Sequence, residues 1–129
     1  MEKLSYYEIQ SEVLGSFYLN TISYGQSTDS TYDSVIDHLL DDYETGFSIK
    51  QQIMINAIIY GLCGNFVSAS LSEKLKKEIV KALISDDFYM LLKLLPHKER
   101  EDFLEDLLGL SLIDKELQVK YSNMPTIQS

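Results

Sequence analysis

No lysine or arginine occurs between Lys3 and Lys50. Nucleic-acid and anionic-lipid affinity rests on cations that neutralise phosphates, so this half of the chain repels both. Cysteine is nearly absent too. The single Cys63 excludes a disulfide framework and fits a reducing cytosol. It lies in the apolar run Ile58, Ile59, Tyr60 and Leu62 and reads as a small buried hydrophobe rather than a nucleophile. Only Pro96 and Pro125 break helices by lacking an N–H, which leaves long stretches free for helix. The most apolar run, Ile53 to Val67, is interrupted by Asn56, Gly61, Gly64 and Asn65 and is too short to span a bilayer. Residues 1–20 lack the unbroken apolar core of a signal peptide, so a cytoplasmic location is expected.

Catalytic and metal motifs are missing as well. Gly61 and Gly64 are not followed by the Lys-Ser/Thr pair of a phosphate loop. A calcium-loop register starting at Asp29 puts Ser34 where glycine is needed and Leu40 where the bidentate glutamate belongs. Asp37, His38 and Asp41 lack a second His or Cys to complete a zinc set. His38 reads as a boundary residue and His97, after Pro96, as a helix-start residue. No catalytic residue, metal or cofactor is expected, and the chain does not read as an enzyme.

What is present is acid. Residues 1–49 hold nine carboxylates and one base, a net of −8, whereas residues 50–129 hold eleven acids and ten bases. Six of the nine tyrosines (Tyr6, Tyr7, Tyr18, Tyr24, Tyr32, Tyr43) share the acidic segment. Within it, Asp29, Asp33, Asp37 and Asp41 recur every four residues. Each step turns about 40° around a helix, so the four share one broad face with Glu44. Asp42 adjoins it, and Tyr32 and Tyr43 lie toward its apolar border. Like charges at this spacing cost about 0.2–0.5 kcal/mol per pair. The helix-start dipole offsets part of that at Asp29 and Asp33.

Three readings fit the stripe: a solvated face, pairing with Lys74, Lys76, Lys77 and Lys81 of the same chain, or docking of a cationic partner. The third makes Asp29, Tyr32, Asp33, Asp37, Asp41, Asp42, Tyr43 and Glu44 the candidate partner-binding residues. A second acidic group, Glu99, Glu101, Asp102, Glu105 and Asp106, is partly balanced by Lys98 and Arg100 and reads as a solvated helix face.

The apolar periodicity predicts an all-α fold: one compact irregular bundle of six or seven helices around a buried central helix at about 48–63. Residues 1–122 form the single domain and 123–129 a frayed tail. Ser5 with Glu8 starts the first helix as a capping box, and Tyr6, Ile9, Val13 and Phe17 form its inner face. Strand formers in 16–24 leave a sheet contribution open there, and Gly25 to Ser30 form a loop. A second helix spans about Thr31 to Tyr43. Ser72 is expected to cap the fourth helix and Asp86 or Asp87 the fifth. Gly109 is expected to end the sixth, and Ser111 with Asp114 to cap the last.

In size, acidity, helical content and lack of a catalytic motif, the chain resembles immunity proteins of bacterial contact-dependent growth inhibition systems. The resemblance implies a cytoplasmic inhibitor that covers a basic toxin domain, for instance a nuclease, with carboxylates in place of phosphates. A nucleic-acid mimic from a mobile element, of anti-CRISPR or anti-restriction kind, would use the same electrostatics. A helical adaptor or oligomerisation module would instead expose an apolar patch, for which Phe88, Tyr89 and Met90 are candidates. The oligomeric state is open.

Overall fold

The computed structural model describes residues 5–27, 29–34, 48–63 and 68–125, with the backbone alone at 48–51, 62 and 63. Among the described residues seven helices pack together and no strand occurs. They are α1 (Tyr6–Tyr18), α2 (29–34 as described), α3 (Ser48–Cys63), α4 (Ala69–Leu83), α5 (Asp86–Leu94), α6 (His97–Gly109) and α7 (Lys115–Ser122). The all-α expectation holds.

The centre is α3. Seven successive residues, Ile53 to Ile59, are buried, so this helix has no solvent face along two turns. It packs against α1, α4 and α5, each of which lays one apolar stripe on it. On α1 the stripe is Tyr6, Ile9, Val13 and Phe17; on α4 it is Leu75 and Ile79; on α5 it is Phe88, Leu91 and Leu92. Each such side chain contributes roughly 1.5–3 kcal/mol by leaving water. An aromatic chain joins the outer helices. Tyr6 lies 4.8 Å from Phe103, Phe103 6.2 Å from Phe88, and Phe88 5.6 Å edge-on from Tyr121, taken between ring centroids.

Helix ends follow local capping chemistry, at positions that differ in part from expectation. Ser5 caps α1 by accepting from Glu8 N–H at 3.3 Å, and Asp114 caps α7 by accepting from Leu117 N–H at 2.8 Å. The cap of α4 is Ser68, not Ser72, and that of α5 is Ser85, ahead of Asp86 and Asp87. The two aspartates instead occupy the first turn, where the dipole still favours them. Helix α2 is described from residue 29, already ahead of Thr31. Ser27 accepts there from Ser30 N–H at 3.2 Å, and the buried Thr31 hydroxyl donates to the Ser27 carbonyl at 2.7 Å.

The strand option for 16–24 is not realised. The chain continues from α1 into a π-turn, Leu19–Ser23. Asn20 donates to the Ser16 carbonyl at 3.0 Å and Thr21 to the Phe17 carbonyl at 2.6 Å. Such side-chain competition for the carbonyl ladder accompanies helix distortion. Gly25, at φ +66°, then lets Gln26 N–H close on the Asn20 carbonyl at 2.9 Å.

Gly109 ends α6 as expected, as its last helical residue. The left-handed residue is Ser111, at φ +60°. The turn it makes brings Leu112 and Ile113 back into the core. Beyond α7 the chain is held by the buried Arg100 of α6, which donates to the Met124 carbonyl at 2.8 Å, and Met124 packs on the core. The expected tail is thus described only to Pro125, with 126–129 outside the described residues.

Candidate functional site

The acidic, tyrosine-rich segment divides into side chains spent on the fold and side chains left to solvent. The first group is larger than the sequence suggests. Tyr6 donates to Asp106 Oδ2 at 2.6 Å and Ser5 to Glu99 Oε1 at 2.8 Å. The same Glu99 oxygen accepts from Tyr7 N–H at 3.1 Å, and the Tyr7 hydroxyl donates to Asp102. Glu99, Asp102 and Asp106 recur at three and four residues and therefore share one face of α6. The first turn of α1 docks on that face. Three of the five acids read as a solvated patch thus serve as acceptors. Burial, reinforced by the Asp106 carboxylate, raises the Tyr6 pKa well above the usual phenol value. The Asp102 hydrogen bond pushes that of Tyr7 up to about 12.

The aspartate stripe is also divided. Asp29 accepts from Ser68 N–H at 2.9 Å and from the Ser68 hydroxyl at 2.6 Å. The Ser68 hydroxyl in turn accepts from Leu71 N–H at 3.1 Å, so Asp29 braces the cap of α4. These bonds, the hydroxyl first, hold the Asp29 carboxyl below its ordinary pKa. Tyr32 is half-buried and donates to Asn56 Oδ1 of α3 at 3.0 Å. Burial, then the charges of Asp33 and Glu78, raises its pKa. Asp33 is exposed. Asp37, Asp41, Asp42, Tyr43 and Glu44 lie outside the described residues, as does His38. Lys74, Lys76, Lys77 and Lys81 are exposed on α4, and none of them is ion-paired with an acid among the described residues. The ion pairs described there are His97–Glu101 at 3.1 Å and Lys98–Asp102 at 3.5 Å, both within α6.

The second group forms a surface that the sequence reading left unassigned. Leu14, Tyr18 and Ile22 are 53%, 67% and 66% exposed, and Leu19 and Tyr24 lie open beside them. Leu14 and Tyr18 are one α-helical step apart on the outer side of α1. The π-turn has more residues per turn and fewer degrees per residue, so Ile22 falls nearly in line with Tyr18. The result is an apolar and aromatic ridge with Glu8 and Asp33 exposed in the same base-free segment. Its sequence signal was the four-residue spacing of Leu14, Tyr18 and Ile22, hidden among strand formers. Of the residues considered for an adaptor patch, Phe88 is buried, and Tyr89 and Met90 are exposed.

Toward the N-terminal end of α1, a cavity of about 300 Å³ opens between α1, α3 and α6. Ala57, Ile58 and Leu110 supply apolar lining; Gln10, Glu105 and Asp106 supply polar lining. Among the described residues no group of carboxylates, histidines or cysteines is arranged to hold a metal ion, and no helix is long and apolar enough to cross a membrane. No protein-family model, curated protein or solved structure matches the chain.

Proposed function

We propose that this protein is a binding inhibitor, not an enzyme, and that it captures a basic protein through its acidic N-terminal half. The form we favour is a cytoplasmic immunity protein that neutralises a cationic toxin domain, such as a nuclease. The observation that carries the reading is the ridge Leu14–Tyr18–Ile22, exposed on a segment with no base between Lys3 and Lys50. Exposed aromatics supply rigid contact area at binding hot spots. Carboxylates of the same segment speed encounter with a cationic partner and select against anionic ones. Asp33, with Asp37, Asp41, Asp42, Tyr43 and Glu44, extends the proposed contact. Asp29 and Tyr32 support it from within, through Ser68 and Asn56.

The test is retention of partners from lysate of the source cell at low and high salt. A basic protein released by salt and lost on Tyr18→Ala with Asp33→Lys supports the reading. Retention insensitive to both changes sinks it. A second reading, an adaptor or self-associating module, draws on the apolar character of the same ridge. It predicts binding that persists at high salt and fails only on Tyr18→Ala.

A further inference from the structure

The strongest unassigned feature is the cavity between α1, α3 and α6. Its shape and chemistry differ from a solvated acidic face. Ala57 and Ile58 belong to the buried centre of α3, so part of the lining is dry. Glu105 and Asp106 are exposed, and Gln10 is half-buried. One Asp106 oxygen is taken by Tyr6, which ties that carboxylate in place. Gly61 lets Leu110 lie close against α3 at the cleft wall: a Cβ there would come within 3.2 Å of Leu110 Cδ1. A volume of about 300 Å³ is at the small end of ligand clefts, room for a single side chain rather than a cofactor.

An apolar wall with carboxylates at the mouth suits an alkyl stem that ends in a cation. Lysine and arginine have this form, burying their methylenes while the charged head stays at the polar edge. Gln10 of α1, which lines the cleft, is one helical step before Leu14 of the ridge. Gln10, Leu14 and Tyr18 follow each other at four-residue intervals along α1, about 12 Å from first to last. A partner segment lying along α1 therefore reaches both.

We infer that this cleft receives one lysine or arginine side chain of the basic partner that covers the α1 ridge. The inference rests on the proposed function for the identity of the occupant, and on the cleft alone for its chemistry. A guanidinium adds planar donors for two carboxylate oxygens, so arginine is the better occupant.

The test uses the intact chain and n-butylguanidinium, with n-butanol as the neutral control, followed by amide NMR. Saturable shifts are expected at Gln10, Gly61, Gly109 and Leu110, with butanol at least tenfold weaker. Gly61→Leu should abolish them by filling the cleft. Glu105→Gln, an exposed change that leaves the Tyr6–Asp106 bond intact, should weaken them at least fivefold. Both variants should also weaken capture of the basic partner. Shifts that do not saturate, or that butanol reproduces, overturn the site. Saturable shifts combined with partner capture indifferent to both variants overturn its role as an anchor. Failure of the proposed function has a separate signature: the wild-type chain retains no basic protein at low salt, while the butylguanidinium titration is unchanged.

Discussion

The Tyr6 hydroxyl donates to Asp106 at 2.6 Å and ties the first turn of α1 to the last turns of α6. The ring below it packs at a tilt against Phe103. Tyr6→Phe keeps the ring and removes the bond. Asp106 is exposed and regains water, so the loss should be about 1 kcal/mol. Tyr6→Ala also empties the core and should cost about 3–5 kcal/mol. Urea unfolding separates the two; equal losses would mean that the hydroxyl carries the whole effect.

The neighbouring bond gives a pH signature. Tyr7 is held neutral in the fold, with its pKa raised from 10.0 to about 12 by Asp102. A group raised above its unfolded value stabilises fully below that value. The contribution is therefore complete below pH 10 and is lost as pH rises through 12. Stability measured between these limits should fall, and Tyr7→Phe should reduce the slope. An unchanged slope in the variant would remove Tyr7 as the source.

Asp29 shows the opposite sign. Its pKa is depressed below 3.8 by Ser68, so its contribution is present above that pH and fades as acid protonates it. Ser68→Ala removes both the brace and the α4 cap and should cost about 1 kcal/mol. Asp29→Asn should act mainly at the cap itself, visible as faster hydrogen exchange at Ser68 and Leu71. Uniform acceleration across α4 would instead point to global loosening.

Asn56 is a polar residue in the buried run of α3, and its oxygen is satisfied by Tyr32. Tyr32→Phe should cost about 1–3 kcal/mol because it leaves that acceptor without its donor. Tyr32→Phe combined with Asn56→Leu should recover part of the loss, since both partners are then apolar. A double variant no better than the sum of the singles would show that the pair is not coupled.

Ser111 is a non-glycine residue in the left-handed region, at φ +60°. That conformation strains a side chain by about 1–2 kcal/mol. Ser111→Gly should therefore stabilise the chain by about 0.5–1 kcal/mol net, the rest being offset by greater freedom of the unfolded glycine. Thermal unfolding checks the sign; a lower midpoint would mean that the serine has a compensating contact.

Much of the fold was legible because apolar spacing reports directly on burial. Tyr6, Ile9, Val13 and Phe17 announce the inner face of α1, and the run Ile53–Ile59, apolar except for Asn56, announces the central helix. Caps were legible only as a class. Ser68 and Ser72 are chemically equal, and what selects Ser68 is Asp29, distant in sequence. Ser85, Asp86 and Asp87 can each cap, and the outcome depends on where Phe88 must point. The site was harder still. An acid or tyrosine reads the same whether it faces water or Ser68, so nothing local marked Asp29 and Tyr32 as internal. The ridge is obscured in the sequence because its four-residue spacing runs through strand formers, and only the turn at Leu19–Ser23 keeps Ile22 in line with Tyr18.

The docking of α1 on α6 also bears on the order of events during synthesis. Ser5, Tyr6 and Tyr7 find their partners only 92 to 100 positions later in the chain. At a translation rate of about 5–20 residues per second, those acceptors emerge about 5–20 s after the first helix. For the first part of that interval, until α3 emerges, α1 leaves the ribosome with its inner stripe and its outer ridge both uncovered. The nascent protein is then apolar on two sides, and a chaperone or an early-bound partner has its widest access to it.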